Sequence, residues 1–173
     1  MAEIRTQRLL LRRARAADLQ DMHAVLSDSR AMRFWSTLPH TTLGQTGEWL
    51  DRMISASPAE SDDFVVEHEG RVIGKAGCWR LPEIGFILHP DHWGQGLARE
   101  ALTAVIGHAF ERHAIQEITA DVDPRNDASL GLLRRLGFGT TGTASRTYFT
   151  GGEWCDSVYL ALRRPQIRNT SPA

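Results

Sequence analysis

The apolar and polar positions along the chain change period several times, and each change marks an element. Leu9-Leu10-Leu11 is a short apolar run ahead of Arg12 and predicts a first strand. Over residues 16–26, Leu19, Met22, Val25 and Leu26 share one helical face, with Asp18 near the start. Residues 42–54 predict a second helix, with Leu43, Trp49, Leu50, Met53 and Ile54 as its apolar set. The stretch between them, 31–39, has no period and carries Phe34 and Trp35. Asp62 and Asp63 lead into a strand, Phe64-Val65-Val66-Glu67. A turn at His68-Glu69-Gly70-Arg71 follows, and a return strand runs from Val72 through Cys78 and Trp79, which is a hairpin pattern.

The second half is more regular. Residues 83–88 read as a strand ended by His89-Pro90. Residues 96–113 form the clearest helix, with Ala98, Ala101, Leu102, Val105, Ile106, Ala109 and Phe110 at i, i+3, i+4 spacing. Ile118, Ala120 and Val122 alternate within a strand over 117–122. Residues 126–136 form another helix, with Asn126 as its cap, Arg134 and Arg135 in its last turn and Gly137 just beyond. Residues 139–149 and 154–162 close the chain as a hairpin around Gly151-Gly152. This order predicts one α/β (α+β) domain, a mixed sheet flanked by helices rather than a doubly wound parallel sheet. The domain spans residues 1–173, with a core over about 6–162.

Composition narrows the function classes. The 173 residues suffice for one domain with a real core. A net charge of -1 argues against a general electrostatic grip on nucleic acid. It leaves room for a phosphate-bearing small ligand, which backbone N–H groups can hold. No window approaches the ~18 apolar residues of a membrane span. The Arg-rich N-terminus lacks the apolar stretch of a secretory signal, so the chain reads as cytoplasmic. Cys78 and Cys155 suit reduced, partly buried thiols, and the seven His show no metal-helix spacing, so no metal is expected.

The most informative segment runs from Phe86-Ile87-Leu88 through His89-Pro90-Asp91-His92 to Trp93-Gly94-Gln95-Gly96-Leu97-Ala98. It passes from strand to glycine loop to helix. A helix start has unpaired N–H groups and a partial positive charge, and Gly94 and Gly96 remove side chains that would block an anion. Together these make a pyrophosphate cradle. The dinucleotide fingerprint needs a third Gly where Arg99 stands, and no Gly-Lys-Ser/Thr ending supports a Walker loop. A glycine pair alone also fits a plain strand-to-helix turn.

Three motifs in order carry a family resemblance. Trp93-Gly94-Gln95-Gly96-Leu97-Ala98 resembles the Gln/Arg-x-x-Gly-x-Gly/Ala loop of the GNAT superfamily, in the Trp-Gly-Gln-Gly form of its RimJ/RimL-like branch. Asn126-x-x-Ser129 with Leu136-Gly137-Phe138 is similar to a second mark of that branch, and Thr6-Gln7-Arg8-Leu9-Leu10-Leu11-Arg12 resembles its opening. The resemblance covers the chain from Thr6 to about Leu162. It implies a mixed, mostly antiparallel sheet in which a parallel pair, here 83–88 and 117–122, splays around the pantetheine arm of acetyl-CoA.

The resemblance also implies roles. Backbone groups at Ile87 and Leu88 would pair with pantetheine amides, the N–H groups of 94–98 would hold the pyrophosphate, and Asn126 would bond the arm from the other side. Phe34 and Trp35 would form the acceptor wall, with Trp79 and Trp154 as additions. The acceptor is an amine, either a peptide N-terminus or a small molecule. An α-amino group, with a pKa of about 8, needs less help from a base than a lysine amine at about 10.4. Glu83 is the candidate base, against the plainer reading of a solvated strand-end carboxylate; His89, Asp91 and His92 are competitors. Many family members protonate the thiolate with a Tyr about seven residues after the motif Asn, but that position is Leu133. Ser129 is then the candidate, against a capping role, with Tyr148 and Tyr159 as alternatives. An active N-acetyltransferase, a silent acetyl-CoA-binding module and another nucleotide-dependent enzyme are the three readings, and monomer and homodimer both remain open.

Overall fold

Phe64, Val65 and Val66 are consecutive and all fully buried. Neighbouring strand residues point to opposite faces, so their sheet must be covered on both sides. The computed structural model, which describes residues 3–165, shows this arrangement. Strands β1 (Glu3–Arg5), β2 (Leu9–Arg12), β3 (Asp62–His68), β4 (Arg71–Arg80), β5 (Glu83–Leu88), β6 (Glu117–Val122), β7 (Gly139–Thr150) and β8 (Glu153–Arg163) form one sheet in the order β1-β2-β3-β4-β5-β6-β8-β7. Helices α1 (Leu19–Leu26) and α2 (Leu43–Ser55) cover one face, packing Met22, Val25, Leu26, Leu50 and Met53 on Val65, Val72 and Ile87. Helices α3 (Leu97–Arg112) and α4 (Asp127–Arg135) cover the other, packing Leu97, Leu102, Val105 and Leu133 on Phe64, Ile84, Ile118 and Leu160.

All strand pairings are antiparallel except β5–β6. That parallel pair has one register contact, Glu83↔Thr119, after which the strands part. β5 is meanwhile held along its length by β4, and β6 by β8. The mixed sheet with a splayed parallel pair therefore agrees with expectation, as do the bounds of β5 and β6.

Local chemistry explains the element ends. Thr42 accepts from the Gln45 amide to start α2. Gly137 sits at φ 96, with its amide on the Arg134 carbonyl and that of Phe138 on Leu133, a Schellman end for α4. Glu69-Gly70 and Gly151-Gly152 both take positive φ in two-residue hairpin turns.

Several expectations need correction. β1 pairs with residues 10–12 as an edge strand that the sequence pattern does not show. Leu43 and Ile54 are exposed, because the buried stripe of α2 is Thr46, Leu50 and Met53. Asp62 and Asp63 are buried inside β3 rather than leading into it. Asp62 is surrounded by His113 at 2.7 Å, Arg13 and His108 at 3.4 Å and Arg112 at 3.8 Å. Cys78 and Cys155 are both buried free thiols, and burial pushes the Cys78 thiol up to about 12.

Asp18 does more than start a helix. Its two oxygens accept from both terminal nitrogens of the buried Arg12, at 2.8 and 2.9 Å, while the Arg12 Nε donates to Glu67. This ties β2, β3 and the entry to α1. Burial alone would push the Asp18 carboxyl up, but the bonds from Arg12 and the Arg15 amide outweigh it and hold it below its usual range. The depressed value means that the stability it gives is present above the unfolded pKa and lost as pH falls through the folded one. Asp18→Ala should lower unfolding free energy by about 3 kcal/mol at pH 7, because it removes the two-point partner of a buried guanidinium and leaves Glu67 as its one carboxylate. The deficit should shrink below about pH 4, where the unfolded carboxyl is itself protonated. Urea melts of both proteins at pH 7 and pH 3 check this; an equal deficit at both would contradict it.

Candidate active site

Where β5 and β6 part, a cavity of about 580 Å³ opens through the sheet. On the α1–α2 side it is lined by Phe34, Trp35, Trp49 and Met53, and on the α3–α4 side by Asn126, Ser129 and Leu133. The strands contribute Glu83, Ile84, Gly85 and Phe86 from β5 and Ala120, Asp121 and Val122 from β6. Residues from both cores thus meet in one space only because the sheet is open there.

Glu83 stands at the vertex, as the β5 partner of Thr119. Its Oε1 accepts from the Trp79 indole at 3.2 Å, and Oε2 lies 3.6 Å from Arg80. Asn126 caps α4, its Oδ1 accepting from the Ser129 amide at 3.1 Å. The cap is therefore the side chain of Asn126 and the backbone of Ser129. The Ser129 hydroxyl has no bond to another described residue, so it is not spent on capping, and Ser129 lines the cavity. The lining thus brings together Glu83, Asn126, Ser129, Phe34 and Trp35.

The glycine loop lies at the end of β5, outside the lining of this cavity. Gly94 and Gly96 have φ of 71° and 77°, a left-handed backbone that glycine adopts without strain. Gly96 is the N-cap of α3 and offers no side chain to the helix start. The amides of Leu97, Ala98 and Arg99 accordingly have no acceptor among the described residues. Trp93 is half exposed, and its indole donates to the Leu88 carbonyl at 2.9 Å, pinning the loop to the strand. That bond occupies one side of the Leu88 carbonyl. Gln95 donates to the Asp91 carbonyl, and its own carbonyl accepts from Arg8 at 2.9 Å. Arg8 and Thr6 also bind Glu100 in the first turn of α3, at 2.7 and 2.6 Å. The opening segment Thr6-Gln7-Arg8 is thereby a brace for the loop.

Other candidates separate. Trp79 lines the cavity, but Trp154 packs edge-on against Phe149 in the β7–β8 hairpin, away from it. Tyr148 lines it and Tyr159 does not. The Tyr148 hydroxyl donates to Asp123 at 3.4 Å; burial first, then the Asp123 charge, pushes that phenol above its usual range. Arg125 holds Asp123 from both oxygens and keeps its carboxyl low. His89, Asp91 and His92 stay outside the cavity, in the turn after β5. The cavity also includes two residues the sequence pattern did not single out for chemistry, Asp63 and Lys75, a buried pair at 2.9 Å. Burial pushes the Asp63 carboxyl up, and the neighbouring Lys75 only partly offsets this. Among the described residues, no group of three or more His, Cys, Asp or Glu is placed to hold a metal ion, and no helix is long and apolar enough to cross a membrane.

Residues 8–139 match the family described as the acetyltransferase (GNAT) domain. The chain is 25% identical over 165 residues to the spermidine N(1)-acetyltransferase of Escherichia coli K12, covering 90% of this chain and 86% of that protein. It is 38% identical over 108 residues to the ribosomal protein uS5-alanine N-acetyltransferase of the same organism, covering 62% and 55%. The structure of RimL, a ribosomal L7/L12 alpha-N-protein acetyltransferase in complex with coenzyme A, matches with a TM-score of 0.81 at 19% identity, covering 94% and 98%. At that identity the likeness is one of fold.

Proposed function

The chain belongs to the GNAT acetyltransferase family, in its RimJ/RimL-like branch, and is an N-acetyltransferase; from that premise we propose that it passes acetyl from acetyl-CoA directly to a primary amine in the slot between β5 and β6. The observation that carries this reading is the parting of the strands after Glu83↔Thr119. It leaves strand backbone facing a cavity that Glu83, Asn126 and Ser129 share.

The residues present fit the co-substrate. The inner edge of β5 beyond Glu83 has no strand partner, so the backbone groups that alternate residues turn toward it suit the amides of an extended arm; with the His89 amide on the Ile73 carbonyl, Leu88 faces this open edge and Ile87 faces β4. The free first-turn amides of α3, with Gly94, Gln95 and Gly96 before them, suit a pyrophosphate, and the helix start adds a partial positive charge. Asn126 lines the cavity on the α4 side, which supports a bond from its side chain to the arm. The coenzyme A held by RimL supports the same reading.

The chemistry then divides among named groups. Glu83 takes the proton of the attacking amine, directly or through a water. As the nitrogen–carbon bond forms, the carbon–sulfur bond breaks and its electron pair leaves on sulfur. The Ser129 hydroxyl donates a hydrogen bond to that sulfur. Phe34 and Trp35 form the acceptor wall on the α1–α2 side. Spermidine and a ribosomal alanine are the acceptors in the names of the two relatives, so the family alone does not select between a small amine and a peptide.

Two substitutions test this. Glu83→Gln should lower kcat about 100-fold at neutral pH with little change in acetyl-CoA affinity. The deficit should narrow as pH rises past the amine's own pKa, because the free amine then forms without a base; a pH–rate profile of thiol release reads this, and an unchanged kcat rejects Glu83. Gly96→Val should weaken acetyl-CoA at least tenfold, about 1.4 kcal/mol. Near-native affinity in calorimetry would remove the loop from the site.

A further inference from the structure

Lys75 lies in the middle of β4, with Val65 and Ile87 as its cross-strand partners and 3% of its side chain exposed. A lysine this buried needs compensation. One bond supplies it: Nζ donates to Asp63 Oδ2 at 2.9 Å. An ammonium has three donors, and the other two find no acceptor among the described residues.

The surroundings fix where those donors face. Nζ lies 5.6 Å from the centre of the Trp35 ring and 3.6 Å from where a Cβ on Gly85 would stand. Lys75, Trp35 and Gly85 all line the cavity. Gly85 is not at positive φ, so its backbone does not demand glycine. What its missing side chain does is leave the cavity floor open over the ammonium. Gly77, its partner on β4, works on the other side of the charge. A Cβ there would sit 2.6 Å from the Asp63 Cα, so glycine lets Asp63 lie close and pair with Lys75 from the β3 side. Asp63 Oδ1 is buried without a partner, which makes the pair a costly one to keep for stability alone.

We propose that Lys75, backed by Asp63, is the anion-recognition group of the acceptor site, and that the acceptor is a small amine that also carries a carboxylate. The inference rests on the acetyl-transfer reading above, with the amine at Glu83. Glu83 and Gly85 share a face of β5, two residues or about 7 Å apart. An amine beside Glu83 therefore places a carboxylate a few bonds away within reach of the Lys75 ammonium. Trp35, Trp49 and Trp79 cover the apolar part of such a molecule. A polyamine offers no acceptor to the two remaining Lys75 donors and would be drawn instead to Asp121 and Asp123 in the same lining, and a peptide N-terminus offers those donors only a neutral carbonyl.

The test is acetyl-CoA-dependent thiol release by the full chain with α-amino acids, γ-aminobutyrate, their carboxamides, spermidine and a short peptide. The amino carboxylates should be turned over, with the matching carboxamides at KM at least tenfold higher. Lys75→Met should raise KM for the amino carboxylate at least tenfold and erase the preference over the carboxamide, with acetyl-CoA affinity retained. Because that change strands Asp63, Asp63→Asn with Lys75→Met provides a neutral pair that removes the charge without leaving it unpaired. Faster use of spermidine or the peptide, carboxamides used equally well, or a folded double variant that keeps the carboxylate preference would overturn the inference and leave acetyl transfer standing. Failure to bind acetyl-CoA or to acetylate any amine would overturn both.

Discussion

Backbone N–H and C=O groups within a sheet must find partners, and one pair of neighbouring strands here does not supply them. β5 and β6 meet at Glu83 and Thr119 and then diverge. Each stays paired along its other edge, β5 with β4 and β6 with β8, so the sheet is intact on both sides of the gap. The slot therefore lies between two continuous ladders. The chain after each strand adds to it: α3 begins after β5 and α4 after β6, so both helix starts follow the diverging strand ends. One start offers bare amides at a glycine cap, and the other presents Asn126 and Ser129 to the cavity.

Much of this was legible from local chemistry. β5 and β6 are short apolar strands with clear punctuation around them, and their bounds follow from it. The ends of α4 follow from Asn126 and Gly137, whose side-chain bond and positive φ act within a few residues. The glycine loop, with Asn126 and Ser129, is likewise a local signal. β1 is three residues long and has no period to read.

The residues that local pattern misplaced have distant partners. Asp62 and Asp63 look like the polar approach to a strand, yet His113 and Lys75 allow them inside it. Asp18 looks like a helix-start acid, while its main partner is Arg12 on the preceding strand. Lys75 has the composition of a solvent-facing strand residue, and only the sheet register places it between Val65 and Ile87. Trp79 and Trp154 are alike in sequence terms and similarly exposed, but one borders the cavity and the other meets Phe149 edge-on at a hairpin. Burial of charge is a property of pairs, and pairing across tens of residues has no period along the chain.

On the proposed reading, the slot and the glycine cradle together accept one ligand, the thioester-bearing arm and its pyrophosphate. Calorimetric titration of the unmodified protein with acetyl-CoA, CoA, ATP and NAD tests it most directly. Saturable binding of acetyl-CoA and CoA, with no comparable heat from ATP or NAD, is the predicted result. Binding of ATP or NAD in preference, or of none of the four, would contradict the account.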